Sequence, residues 1–233
     1  MNTVLVVDAD TPLTRALCEE LANELCRVIA HVRSTEYAPF GADITVISVP
    51  TVHDVLVRCA QSDSRINHVV FGAPPSPGAL FDTDDDFEKL ITCTQTQLNQ
   101  FLTELQAAGT MLVRGGAGQI WVLTQEDSMY YYTGTPSLPI DTRARHAAVK
   151  SFAKEIFRFG VRVNCANVQL LSEQATPDEW LRAKDGLKAF AMKFKPNRAV
   201  AVARTLGLFL TQTDLPIAGM VVPIGIGFAE ANF

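Results

Sequence analysis

A few side chains in this sequence could move a proton or meet a charge. Tyr130, Tyr131 and Tyr132 stand together in the loop from Glu126 to Pro136, and His146 and Lys150 follow one helical turn apart. One of the three phenols, helped by His146 or Lys150, could act as a general acid, since a neighbouring cation favours the phenolate and brings its pKa toward neutrality. Three consecutive tyrosines cannot share one environment, and packing of an aromatic loop over a shallow cleft or against a neighbouring subunit accounts for them more simply. Asp8 and Asp10 follow an apolar run where the chain must turn, and Arg33 follows a second such run. Cys18, Cys26, Cys59, Cys93 and Cys165 are scattered, mostly in apolar contexts and without metal-ligand spacing, so they read as buried thiols and no metal is expected.

These residues need elements to hold them. Thr3 to Val7 is a continuous apolar run, followed by Asp8-Ala-Asp-Thr-Pro12 and a helix carrying Leu13, Leu17, Leu21 and Leu25. That is the strand, turn and helix that opens a Rossmann domain, with Asp10 or Thr11 capping the helix and Pro12 in its first turn. Arg27 to Val32, Ala42 to Ser48 and Asn67 to Phe71 are further strands, and a helix is expected over about Phe87 to Ala108. Arg114-Gly-Gly-Ala-Gly118 reads as a turn before the strand Gln119 to Thr124. Thr142 to Phe157 has Ala144, Ala147, Ala148, Phe152 and Ile156 at helical spacing and Gly160 as its C-cap, and Val161 to Ala166 is the next strand. Thr176 to Glu179 reads as a capping box opening a helix to about Phe194.

The texts GQIWVLT, KSFAKEI and GVRVNCANV, with Lys195 to Leu210 and Ile217 to Gly227 behind them, resemble the classical short-chain dehydrogenases/reductases (SDRs). The resemblance runs the length of the chain. It implies one α/β domain over residues 1–233, a Rossmann-like doubly wound parallel sheet of about seven strands. The site residues that it implies are replaced. Gln125 stands where the family keeps its serine, Leu138 where it keeps its tyrosine and Thr142 where it keeps its lysine. Sliding the helix by four residues puts Thr142 and His146 in the last two places instead. The family's asparagine falls near Thr96. Leucine has no titratable proton, so the family's proton transfer is not expected from this set.

The glycine motif T-G-x-x-x-G-x-G is replaced as well, with Asp8, Pro12 and Thr14 in its three glycine places. Carboxylates at Asp8 and Asp10 would lie beside a dinucleotide's phosphates, where unit charges a few ångströms apart repel by roughly 1 to 4 kcal/mol at effective dielectrics of 80 to 20. Pro12 lacks a backbone donor. Ser48 and Val49 replace the pair that contacts adenine in the family, and Phe71-Gly72-Ala73-Pro74 replaces N-N-A-G, with Phe71 expected to crowd the nicotinamide ribose. Arg33 stands where NADP-preferring relatives often keep a basic residue. The expectation is therefore that no cofactor is bound.

Three readings of function follow. The first is a catalytically inactive SDR-like subunit that associates with an active SDR chain, one acting on a 3-hydroxyacyl or 3-oxoacyl thioester, as a homo- or hetero-oligomer such as a heterotetramer. The second is an atypical NAD(P)-dependent oxidoreductase using the displaced Tyr131, His146 or Lys150. The third is a regulatory module that holds a small molecule near Phe71, Gln125 and Tyr130. A net charge of -5 gives no basic footprint for nucleic acid or anionic membranes. No apolar run reaches the roughly 18 residues of a membrane span, and no leader is apparent, so a cytoplasmic location is expected.

Overall fold

The computed structural model describes residues 2–62, 65–74, 87–127, 133, 139–187, 195–212 and 215–225. Its centre is a sheet of seven strands in the order β3-β2-β1-β4-β5-β6-β7, every pairing parallel. The strands are β1 (Thr3–Val7), β2 (Arg27–Val32), β3 (Ile44–Ser48), β4 (His68–Phe71), β5 (Gly118–Gln125), β6 (Val161–Val168) and β7 (Val221–Ile224). All five residues of β1 are buried, because a parallel strand in mid-sheet has helices on both its faces and reads as a continuous apolar run. The fold is thus the expected doubly wound parallel sheet. Pro223 sits in the edge strand β7, where the missing backbone donor is tolerated.

Six α-helices are present among the described residues: α1 (Pro12–Asn23), α2 (Val52–Gln61), α3 (Phe87–Gly115), α4 (Pro139–Ile156), α5 (Pro177–Leu187) and α6 (Ala199–Thr211). One face of the sheet packs on α1 and α6 through Leu17, Leu21, Trp121, Leu123 and Leu206. The other packs on α2, α3 and α4 through Val55, Leu105, Ile120, Val122 and Ala153. The alternation along β5 supplies both cores at once. Trp121, fully buried, stacks on Phe209 with centroids 5.2 Å apart.

Local chemistry sets the ends of these elements. Thr11 accepts from the Thr14 N–H and the Thr14 hydroxyl accepts from the Thr11 N–H, a capping box with Pro12 in the first turn of α1. Thr176 and Glu179 form the same reciprocal pair at the start of α5. Past α4 a short 3-10 turn (Phe157–Phe159) closes on Gly160 at φ 78°, the left-handed cap expected there. The helix α3 runs further than the expected Ala108, to Gly115. Gly109 does not end it, because a Cβ at that position would meet the Phe152 ring of α4: the glycine serves helix contact, not termination.

The chain passes from β1 outward to β2 and β3, then returns to the far side of β1 at β4. The C-terminal ends of β1 and β4 therefore flank the switch point at which open α/β sheets form their ligand crevice.

Candidate functional site

Two connected hollows open at that switch point and share Asp10, Thr11, Ala73 and Pro74. The first, about 270 Å³, is lined by Asp8, Arg33, Gly72, Gln100 and Glu104 among others. The second, about 350 Å³, lies toward β5 and β6 and is lined by Leu123, Thr124, Gln125, Val168, Leu171 and Gln174 among others.

The first hollow is ionic. Asp8 follows β1 with φ 54°, the left-handed conformation that L residues rarely take and that glycine takes freely. Its carbonyl accepts from the Thr14 hydroxyl at 2.9 Å, so Thr14 ties the turn to α1. The Asp8 carboxylate accepts from Arg33 Nε at 2.6 Å and Nη2 at 3.2 Å. From the opposite side Glu104 of α3 accepts from Arg33 Nη1 and Nη2, both at 2.9 Å, and the Pro50 carbonyl accepts from Nη1 at 2.8 Å. Burial works against the Arg33 charge, but the hydrogen bonds and charges of Glu104 and Asp8 more than offset it and hold the guanidinium more firmly protonated than usual. Beneath this group His31 is fully buried, its Nε2 donating to the Val49 carbonyl at 2.9 Å while Nδ1 has no partner, and burial pushes its pKa down.

The second hollow is lined in part by Thr124, a member of a buried polar cluster. Thr124 donates its hydroxyl proton to Asn167 Oδ1 at 2.9 Å and lies 2.9 Å from His146 Nε2, with Cys165 Sγ at 3.3 Å. The four residues are buried. The four side chains bond one another as in a satisfied polar core. Beside it Arg145 donates to Asp141 at 2.7 Å and lies 4.3 Å over the Phe101 ring, which meets Phe71 edge-on at 5.8 Å. Phe71 is buried against Phe101, and both rings line the first hollow.

The site residues anticipated from the sequence fall in different places. Asp8, Asp10, Pro12 and Thr14 form the β1–α1 turn at the hollows' shared rim. Gln125 ends β5, and its carbonyl accepts from the Thr142 hydroxyl at 3.4 Å. His146 faces inward to Thr124, whereas Lys150, one turn on, is exposed. Thr96 is exposed on α3 and donates to the Thr92 carbonyl. Tyr130, Tyr131, Tyr132 and Leu138 lie outside the described residues. Sequence reasoning missed Glu104 and Arg145. Glu104 carried a signal: it is an acid among the apolar positions 101, 105 and 108 of α3, and a buried charge requires a partner. Burial pushes Cys18 and Cys165 up to about 12, which leaves those thiols unreactive. Among the described residues no His, Cys, Asp or Glu cluster could hold a metal, and no helix is long and apolar enough to cross a membrane.

No protein-family model matches the sequence, and no curated protein does. Solved structures do match over nearly the whole chain. A short-chain dehydrogenase from Leptospira borgpetersenii with bound NAD+ superposes at a TM-score of 0.75 with 11% identity, over 96% of this chain and 91% of that one. ElxO with NADP bound gives 0.71 and 16% over 96% of each chain. YwfH, an NADPH-dependent reductase involved in bacilysin biosynthesis, gives 0.72 and 14% over 96% of each.

These matches correct the expectation of no cofactor, because two of these solved structures of the same fold hold NAD+ or NADP. The physical reason lies in the backbone. Loss of the glycines did not remove the turn, since Asp8 adopts the left-handed conformation itself. Gly72 keeps β4 close to β1, where a Cβ would meet the Val7 carbonyl at 2.9 Å and the Asp8 carbonyl at 3.0 Å. Arg33 lies at this crevice and is bonded there by two carboxylates, those of Asp8 and Glu104. The fold is that of the short-chain dehydrogenases/reductases.

Proposed function

We propose that this chain is an SDR-fold subunit that holds a nicotinamide nucleotide in its crevice without carrying out hydride transfer itself, and that it acts by assembling with a catalytically competent chain of the same fold. The partner's substrate on this reading is a 3-hydroxyacyl or 3-oxoacyl thioester. A bound nicotinamide supplies a hydride, but reducing a carbonyl also requires a proton at the carbonyl oxygen. The observation that carries the reading is the state of the groups beside β5: Gln125 is an amide, the Thr142 hydroxyl is spent on the Gln125 carbonyl, and His146 is turned inward to Thr124. Arg33 would meet the nucleotide's phosphate and the β1–α1 turn would lie beneath it.

Assembly is supported by an exposed apolar stripe on α3. Phe87, Ile91 and Leu102 are 56%, 41% and 42% exposed. On α4, Ile140 is 57% exposed and Ala144 and Ala147 offer small side chains for close helix contact.

Native mass spectrometry of the protein isolated gently from its own cells tests the reading. A mixed oligomer of this chain with a second SDR-fold chain, with nucleotide on both, is expected. A homo-oligomer that reduces a carbonyl at the expense of NADPH would overturn it.

A further inference from the structure

We infer that Asp8 determines whether the crevice accepts a phosphate-bearing ligand: its carboxylate occupies, on Arg33, the place a phosphate would take, and a nucleotide enters by displacing it. The inference rests on the reading that the crevice takes a nicotinamide nucleotide.

A guanidinium has five N–H donors, and those of Arg33 are all engaged. Nε and one N–H of Nη2 go to Asp8, the second of Nη2 and one of Nη1 go to Glu104, and the remaining one goes to the Pro50 carbonyl. An incoming phosphate can therefore bind Arg33 only by exchange with one of these acceptors. The three acceptors are not equally replaceable. The Glu104 side chain is 6% exposed, and it also accepts from the Val52 N–H at 3.4 Å and from Gln100 Nε2 at 3.2 Å, so it is anchored apart from Arg33. The Pro50 carbonyl is fixed by the main chain. Asp8 is 26% exposed at the mouth of the hollow and borders it directly. Its carboxylate is the acceptor that solvent and ligand can reach.

Geometry makes the imitation close. Asp8 engages the Nε edge of Arg33 through both carboxylate oxygens, the fork arrangement by which arginine also grips phosphate. The backbone of Asp8 sits at φ 54°, a conformation this residue adopts at a cost and that aims its side chain toward the Arg33 guanidinium. While Asp8 stays ionised and in place, a phosphate faces its repulsion as well as the loss of its hydrogen bonds.

The test compares wild type with Asp8→Asn and Asp10→Asn, titrated with NADPH and followed by nucleotide fluorescence or calorimetry. Asparagine tolerates the left-handed backbone, so D8N removes the charge and keeps the turn. Asp10 is exposed at the same rim and makes no bond to Arg33, so D10N removes an equal charge without opening the pair. Binding of NADPH tightened by about tenfold or more in D8N, with less than about threefold in D10N, is the expected result. Equal gains in the two variants would overturn the inference, because general charge would then explain both. So would wild-type binding that D8N leaves unchanged or weakens. Failure of both wild type and D8N to bind any nucleotide would sink the underlying nucleotide reading and this inference with it, an outcome distinct from the previous two. Should D8N not fold, Asp8→Gly makes the same turn without a side chain and carries the same expectation.

Discussion

The two halves of the crevice solve the problem of buried polarity in opposite ways. On the β1–β2 side, Asp8, Arg33 and Glu104 form a charged group that reaches the surface, with two anions sharing one cation. On the β5–β6 side, Thr124, His146, Asn167 and Cys165 form a buried group that bonds within itself. A charged group at a rim can exchange partners with a charged ligand, since the ligand replaces like with like. A buried network whose members bond one another has less to gain from a ligand. On the proposed reading, the first half binds the ligand and the second supplies no proton.

The contrast can be broken from the charged side first. Replacing Glu104 by alanine leaves Arg33 half-buried with only Asp8 and Pro50 for partners. A loss of about 3 kcal/mol in unfolding free energy by urea denaturation is expected, at the low end for a broken buried ion pair because Arg33 is 31% exposed. A loss below about 1 kcal/mol would mean that the group is a surface pair of little consequence.

Histidines sharpen the comparison next. His146 has a partner in Thr124, whereas His68 on β4 is buried with neither ring nitrogen hydrogen-bonded, and burial pushes its pKa down to about 4. The unfolded chain binds a proton at His68 near pH 6.5 and the folded chain does not, so stability is full above about pH 6.5 and falls as the pH drops toward 4. The expected loss over that window is about 3 kcal/mol, and His68→Leu should remove most of it. Thermal melts of both proteins across the window would check this, and an unaltered acid profile in the variant would contradict it.

Smaller effects belong to the β5–β6 half. Thr124→Val keeps the shape of the side chain but leaves His146 Nε2 and Asn167 Oδ1 each short of a partner, for an expected loss of about 1 to 3 kcal/mol. Nucleotide affinity should not move, which separates this half from the charged one. Thr96→Val, at the family's asparagine place but exposed on α3, should change stability by less than about 0.5 kcal/mol and affinity not at all. A large effect on either would place Thr96 in the site after all.

The scaffold was largely legible because it is written in local patterns. The apolar run of β1, the Thr11 and Pro12 start of α1 and the Gly160 cap each act within a few residues, and the structure has them as read. The end of α3 was not legible. The helix was expected to end near Ala108, and only the approach of Phe152 from another helix shows why a glycine, Gly109, stands inside it. The site was legible by halves. Asp8 and Arg33 were each noticed, but their pairing joins residues 25 apart, and Glu104 lies a further 71 from Arg33. The cofactor was misjudged for a related reason: Asp8 was weighed as a lone carboxylate beside the phosphates, whereas in the fold it is paired with Arg33.

The most direct test of the central claim is to titrate the purified chain with NADPH and then follow the bound nucleotide's absorbance with a panel of short 3-oxoacyl thioesters. Saturable binding with no oxidation of NADPH is the expected result, and oxidation should begin when a competent SDR chain joins the assembly. Steady consumption of NADPH by this chain alone would contradict the account and would place a working proton donor in its crevice.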